Sequence, residues 1–96
     1  MSLEKDPEAF YRKLKSQLTE TDQWPTAYLY KFIVPSDKQK IAEIETAFDN
    51  MGAVITTKQS RNGKYTSVSI NVRMLSPDAV IEKYKEVGKI EGVISL

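Results

Sequence analysis

Four cations, Lys58, Arg61, Lys64 and Arg73, lie in a stretch between Asp49 and Asp78 that contains no acidic residue. Ammonium and guanidinium groups without carboxylate neighbours are free to meet phosphate or carboxylate on another molecule. Tyr65, Ser67, Ser69 and Asn71 are interleaved with them, adding a ring that can stack and polar groups that can hydrogen-bond. Other constellations offer less chemistry. Asp78, Glu82 and Glu86 recur every four residues, which aligns carboxylates along one helix edge. Lys83, Lys85 and Lys89 interleave with them, and a hard cation needs about six oxygens, more than one edge supplies. Glu43, Glu45 and Asp49 read the same way, as a solvated helix face. Ser67 and Ser69 are the serines on the second strand of the lysine-bearing hairpin, yet both fall mid-strand, without the strained turn and oxyanion donors that acyl transfer requires.

The chain has no histidine and no cysteine, which removes the commonest general base, the thiol nucleophile, disulfides and the usual zinc ligands. A phosphate cradle after the first strand would need glycine and arginine, whereas that loop reads Val34-Pro35-Ser36-Asp37-Lys38, with an aspartate to repel an anion. No cofactor and no metal are expected, and the chain reads as a non-enzyme. Fourteen Lys and Arg balance thirteen Asp and Glu, so any attraction to nucleic acid must come from a local patch. With no signal-like segment and no apolar run of about 20 residues, a cytoplasmic protein without membrane attachment is expected.

The elements that must position these residues follow from periodicity. Asp6-Pro7-Glu8 predicts a helix start, with Asp6 as cap, and Phe10, Leu14 and Leu18 form a narrow apolar stripe. That helix reads as an arm over residues 1–23, ahead of one domain over residues 24–96. After Trp24-Pro25, residues Thr26 to Val34 alternate, with Tyr28, Tyr30, Phe32 and Val34 on one face and Leu29, Lys31 and Ile33 on the other. Ser36-Asp-Lys-Gln39 fits a capping box, and Ile41, Ile44, Ala47 or Phe48, and Met51 follow at helical spacing up to a left-handed stop at Gly52. Val54–Gln59 and Tyr65–Met74 predict a hairpin about Asn62-Gly63, a pair suited to the primed two-residue turns. In its second strand Thr66, Val68, Ile70, Val72 and Met74 alternate with Tyr65, Ser67, Ser69, Asn71 and Arg73. Ser76-Pro77-Asp78 opens a second amphipathic helix through Val80, Ile81, Tyr84 and Val87 to Gly88, and Ile90 to Leu96 predicts a last strand.

This order is an α+β, ferredoxin-like βαββαβ plait: a four-stranded antiparallel sheet with two helices on one face, plus the N-terminal helix. The other face is left open, and it collects Leu29, Lys31, Ile33, Lys58, Arg61, Lys64, Tyr65, Ser67, Ser69 and Arg73 as a candidate interaction surface. Its apolar members suit partial cover by a protein partner, by a second copy in a homodimer, or by the N-terminal arm. RNA is the alternative, because RNA-binding plaits stack bases on such a face, although Tyr65 alone fills an expected aromatic position.

Trp24-Pro-Thr26, Tyr30-Lys31, Gly63-Lys-Tyr65, Ser67-Val-Ser-Ile70, and Tyr84 followed by Gly88-Lys-Ile90 together resemble the YbeD-like family of small bacterial proteins of unknown function, over about Trp24 to Leu96. The resemblance implies an ACT-like ferredoxin fold, a regulatory or interaction role and no known catalysis. Pro35-Ser36 stands where ACT domains carry the glycine that approaches an amino-acid ligand, so the resemblance does not extend to that site.

Overall fold

The computed structural model describes residues 7–96. Among these residues it is an α+β fold of three helices and a four-stranded antiparallel sheet. The elements run α1 (Pro7–Thr21), β1 (Thr26–Pro35), α2 (Lys38–Ala47), β2 (Val54–Gln59), β3 (Tyr65–Met74), α3 (Pro77–Gly88) and β4 (Ile94–Ser95). The sheet order is β2-β3-β1-β4. The two ten-residue strands therefore lie side by side in the middle, paired without interruption from Thr26↔Met74 to Pro35↔Tyr65.

Alternation on the two central strands builds the core. Tyr30, Phe32, Val34, Thr66, Val68, Ile70, Val72 and Met74 are buried on one face, where Ile44 and Phe48 from α2 and its C-terminal cap and Val80 and Val87 of α3 meet them. Burying a side chain of this size removes enough apolar surface to contribute about 1.5–3 kcal/mol each. Aromatic rings fill much of the space: Tyr30 packs against Phe48 at 5.0 Å and Tyr84 at 5.0 Å between centroids. Their polar ends are satisfied inside the core. The Tyr30 hydroxyl donates to the Val80 carbonyl at 3.1 Å, and the Tyr28 and Tyr84 hydroxyls lie 2.8 Å apart. Burial holds both Tyr30 and Tyr84 neutral far above the ordinary tyrosine range, helped at Tyr84 by its hydrogen bond to Tyr28.

Helix α1 lies against α3, where Lys15 meets Asp78 at 3.0 Å and Lys85 meets Glu8 at 3.9 Å. These exposed pairs contribute about 0–1 kcal/mol each. Burial of Leu18 and partial burial of Leu14 hold the helix down more effectively, and the Trp24 indole N–H donates to the Leu18 carbonyl at 3.0 Å, fastening its end. Phe10, the third residue of the expected stripe, is 37% exposed and packs on Tyr11. The expected Asp6 cap lies outside the described residues.

Four local expectations are corrected. The cap of α2 is Asp37 rather than Ser36: its carboxylate accepts from the Gln39 and Lys40 amides at 2.8 and 3.4 Å. Ser36 instead bonds the buried Thr66 hydroxyl at 2.8 Å, which leaves the next oxygen-bearing residue to serve the helix. The same helix stops at Ala47, so Met51 packs from a turn; Gly52 takes the expected positive φ, and Asn50 takes one as well. The hairpin is closed by four residues rather than two. The Ser60 N–H donates to the Tyr65 carbonyl, the Gly63 N–H donates to the Ser60 carbonyl, and only Gly63 has a positive φ, +74°. Finally, β4 is two residues long, because Ile90 and Val93 close turns on Val87 and Ile90, and Gly92 turns back against Pro35 with φ +85°.

Candidate functional site

The face of the sheet away from the helices carries the candidate residues in cross-strand rows. Register places Ile33, Ser67 and Lys58 in one row, with Ile94 beside Ile33 at the β4 edge. Lys31, Ser69 and Thr56 form the next row, and Leu29, Asn71 and Val54 the one after it. Side chains directly opposite one another in such rows are in contact range. Leu29 is 55% exposed and Tyr65 48%, so both offer apolar surface on this face.

At the hairpin end the face dips into an open recess of about 540 Å³ lined by Ile33, Lys58, Gln59, Ser60, Arg61, Tyr65 and Ser67. Turn chemistry makes this shape. The Ser60 hydroxyl accepts the Tyr65 N–H at 3.1 Å and donates to Asn62 Oδ1 at 3.0 Å, while that same oxygen accepts the Lys64 N–H at 3.0 Å. The Lys64 carbonyl accepts the Ser36 N–H at 2.9 Å, which ties the tip to the β1–α2 loop. Arg61 and Tyr65 are thereby held on a braced turn while their side chains remain free.

Five of the ten candidates, Ile33, Lys58, Arg61, Tyr65 and Ser67, are brought together in the recess. Lys64 flanks it on the same turn. Leu29, Lys31 and Ser69 lie further along the face, and Arg73 stands opposite Ala27 at the far end of β3. Eight residues of strand separate Arg73 from Tyr65 by about 26 Å, so the cations at the tip are Lys58, Arg61 and Lys64. None of these three has an ion-pair partner among the described residues, whereas Lys15, Lys83 and Lys85 each have one. Sequence reasoning missed Ser60 and Gln59, whose place in the recess depends on the turn. It also missed Val54 and Ile94, 65% and 53% exposed, which extend the apolar part of the face to both edges.

The other constellations resolve into structure. Asp78 is engaged by Lys15 and Glu86 by Lys83, whose ammonium also donates to the Ala47 carbonyl. Among the described residues no group of three or more His, Cys, Asp or Glu is gathered as metal ligands. The Ser67 hydroxyl donates to the Lys58 carbonyl at 3.3 Å. In the β1–α2 loop, the amides that could meet a phosphate are occupied by Asp37 itself. No helix among the described residues is long and apolar enough to cross a membrane.

Comparison with known proteins gives the chain its relatives. It is 30% identical over 83 residues to the UPF0250 protein YbeD of Escherichia coli O1:K1, a match covering 83% of this chain and 95% of that protein. The same identity and coverage hold for the UPF0250 protein YbeD of Escherichia coli O157:H7 and of Shigella boydii serotype 18. No solved structure matches the chain. The family model described as protein of unknown function (DUF493) matches residues 19–96, from the end of α1 through the whole sheet. The YbeD-like resemblance carried by Trp24-Pro-Thr26 and the hairpin is thus matched along most of the sequence, and the chain belongs to this family.

Proposed function

We propose that this protein is a small, non-enzymatic regulatory or interaction domain that meets its partner through the open sheet face and the basic hairpin. The observation that carries this reading is the coincidence, on one face that the described helices leave uncovered, of the cations Lys31, Lys58, Arg61, Lys64 and Arg73, unpaired among the described residues, with the exposed apolar side chains of Leu29, Val54, Tyr65 and Ile94. Groups of both kinds are what a partner surface buries: apolar side chains supply affinity, and charges supply orientation and rate of encounter. The strand order β2-β3-β1-β4, with α2 and α3 joining strands across one face, supports a ferredoxin-like, ACT-like plait over residues 24–96, and the arm ahead of it carries the helix Pro7–Thr21. A cytoplasmic location and a protein partner or second copy complete the reading. Against catalysis, the Ser67 hydroxyl donates to a backbone carbonyl rather than to a base.

The test is a pull-down from native cytoplasm with wild type beside a Tyr65→Ala, Arg61→Ala, Lys64→Ala variant, followed by reassembly from purified components. A partner held by wild type and lost to the variant supports the reading. A partner held equally by both overturns it.

RNA is the second reading, favoured by Tyr65, half exposed beside Lys58 and Arg61. Three or four phosphate contacts to a single strand would make log affinity fall against log salt with a slope of about −2 to −3. Sub-micromolar binding of labelled single-stranded RNA with that slope, abolished by Tyr65→Ala and weakened by Lys64→Ala, would put this reading first.

A further inference from the structure

We propose that the outer edge of β2 docks an extended polypeptide segment of a partner, acidic at the end that meets the hairpin, which joins the sheet as an additional strand. The proposal deepens the interaction reading above and rests on it. β2 is the last strand of the sheet, hydrogen-bonded to β3 on one side through an unbroken register from Val54↔Asn71 to Gln59↔Thr66. Among the described residues nothing pairs with its other side. Most of its side chains are also uncovered. Ile55 packs partly against the core, but Thr56, Thr57, Lys58 and Gln59 are exposed although they alternate between the two faces, so the helical layer stops short of the hairpin half of this strand.

Such edges are ordinarily blunted by proline, by lysine or other charges on the edge, by a bulge, or by a covering loop, and of these β2 carries Lys58 alone. The sequence Val-Ile-Thr-Thr-Lys-Gln has no proline, glycine or bulge, is rich in strand-forming residues, and carries a single charge. Six residues in antiparallel register leave about three N–H and three C=O groups directed outward. A polypeptide backbone can satisfy these in a ladder, as in other strand-addition complexes. A nucleic acid backbone has no such alternation of donors and acceptors.

Charge selects the occupant. Lys58, Arg61 and Lys64 sit at one end of the edge, and no carboxylate lies between Asp49 and Asp78 to neutralise them. A second copy pairing β2 against β2 antiparallel would set its own Val54 end beside these cations and bring no acidic side chain from its strand or hairpin. An incoming strand with carboxylates beside Lys58 and Arg61 and an apolar residue beside Val54 matches both ends.

The test uses the full chain labelled with 15N and a blocked peptide of about eight residues alternating Val and Glu. Controls are the same peptide N-methylated on alternate residues, which keeps charge and side chains but cannot form the ladder, a Val-Lys peptide, and a uridine-rich RNA. The expected result is slowed hydrogen exchange at β2 amides with the unmethylated acidic peptide alone, and affinity reduced about tenfold by Lys58→Glu or Arg61→Glu. Equal binding of the methylated or the Val-Lys peptide would overturn the proposal, as would protection of the β2 edge by RNA or by dimerisation of the chain alone. Loss of a native partner from the hairpin variant, with no protection of β2 by either partner or peptide, would leave the interaction reading standing and overturn this one.

Discussion

On β3, Thr66, Val68, Ile70, Val72 and Met74 are all buried, while Tyr65, Ser67, Ser69, Asn71 and Arg73, one residue out of phase on the same strand, are not. The two sets share backbone, hydrogen bonding and neighbours in sequence, so what separates them is which side the helices cover. On the covered side every polar end is matched, as Thr66 is by Ser36 and Tyr30 by the Val80 carbonyl. On the uncovered side cations stand without partners and apolar side chains meet water. The covered face is built to be finished within the chain, and the open face is built from groups whose interactions remain to be made.

The sharpest way to break this contrast is to truncate adjacent residues. Ile70→Ala removes a fully buried side chain from the central strand and should cost about 2–5 kcal/mol in chemical denaturation, whereas Ser69→Ala should change stability by about 0.5 kcal/mol or less. Equal losses would mean that the open face is covered in solution. Gly63→Val comes next. Nothing lies within 4 Å of a Cβ added at Gly63, so the cost is backbone strain at φ +74° alone, about 1–3 kcal/mol. A variant indistinguishable from wild type would show that the turn can take another conformation and that the recess is not braced.

Tyr30→Phe leaves the packing in place but removes the hydroxyl that meets the Val80 carbonyl, and should cost about 0.5–1.5 kcal/mol. Both Tyr30 and Tyr84 ionise at higher pH in the folded chain than in the unfolded one, because burial disfavours the phenolate. Above the unfolded tyrosine value of about 10, the unfolded state therefore binds fewer protons than the folded state, and stability should fall as pH rises further. Alkaline denaturation that begins at the same pH in wild type and in a Tyr30→Phe, Tyr84→Phe variant would contradict this. The smallest expected effect on stability belongs to the open face: Lys58→Ala and Arg61→Ala should leave it within about 0.5 kcal/mol, since neither side chain is packed or paired.

Much of the fold was legible because period-two alternation over ten residues is a strong signal. The bounds of β2 and β3, the two faces of β1 and the starts and stripes of α2 and α3 emerge as the residues predict, within about one turn at the ends. Where two residues could serve one role, sequence could not choose. Ser36 and Asp37 both cap helices, and the decision lay with Thr66, thirty residues away across the sheet. Asn62-Gly63 suits a two-residue turn, but the Ser60 and Asn62 side chains take over the amides of Tyr65 and Lys64 and widen it to four. The open face was visible as the complement of the apolar alternation. The recess was not, since it depends on that wider turn; nor were Val54 and Ile94 as apolar extensions of the face, since Ile94 is placed by the short β4 pairing and Val54 by the β2–β3 register beyond that turn.

The hydrogen bond from the Trp24 indole to the last turns of α1 gives the molecule an optical handle. Trp24 is the only tryptophan in the chain, half-buried where the helix ends and the sheet begins. Its emission therefore reports the seating of α1 as well as the packing of the core it touches. Were the helix to lift while the sheet stayed intact, fluorescence would shift to the red with the strand signal in circular dichroism unchanged. Coincident changes in both would show that helix and sheet come apart only together.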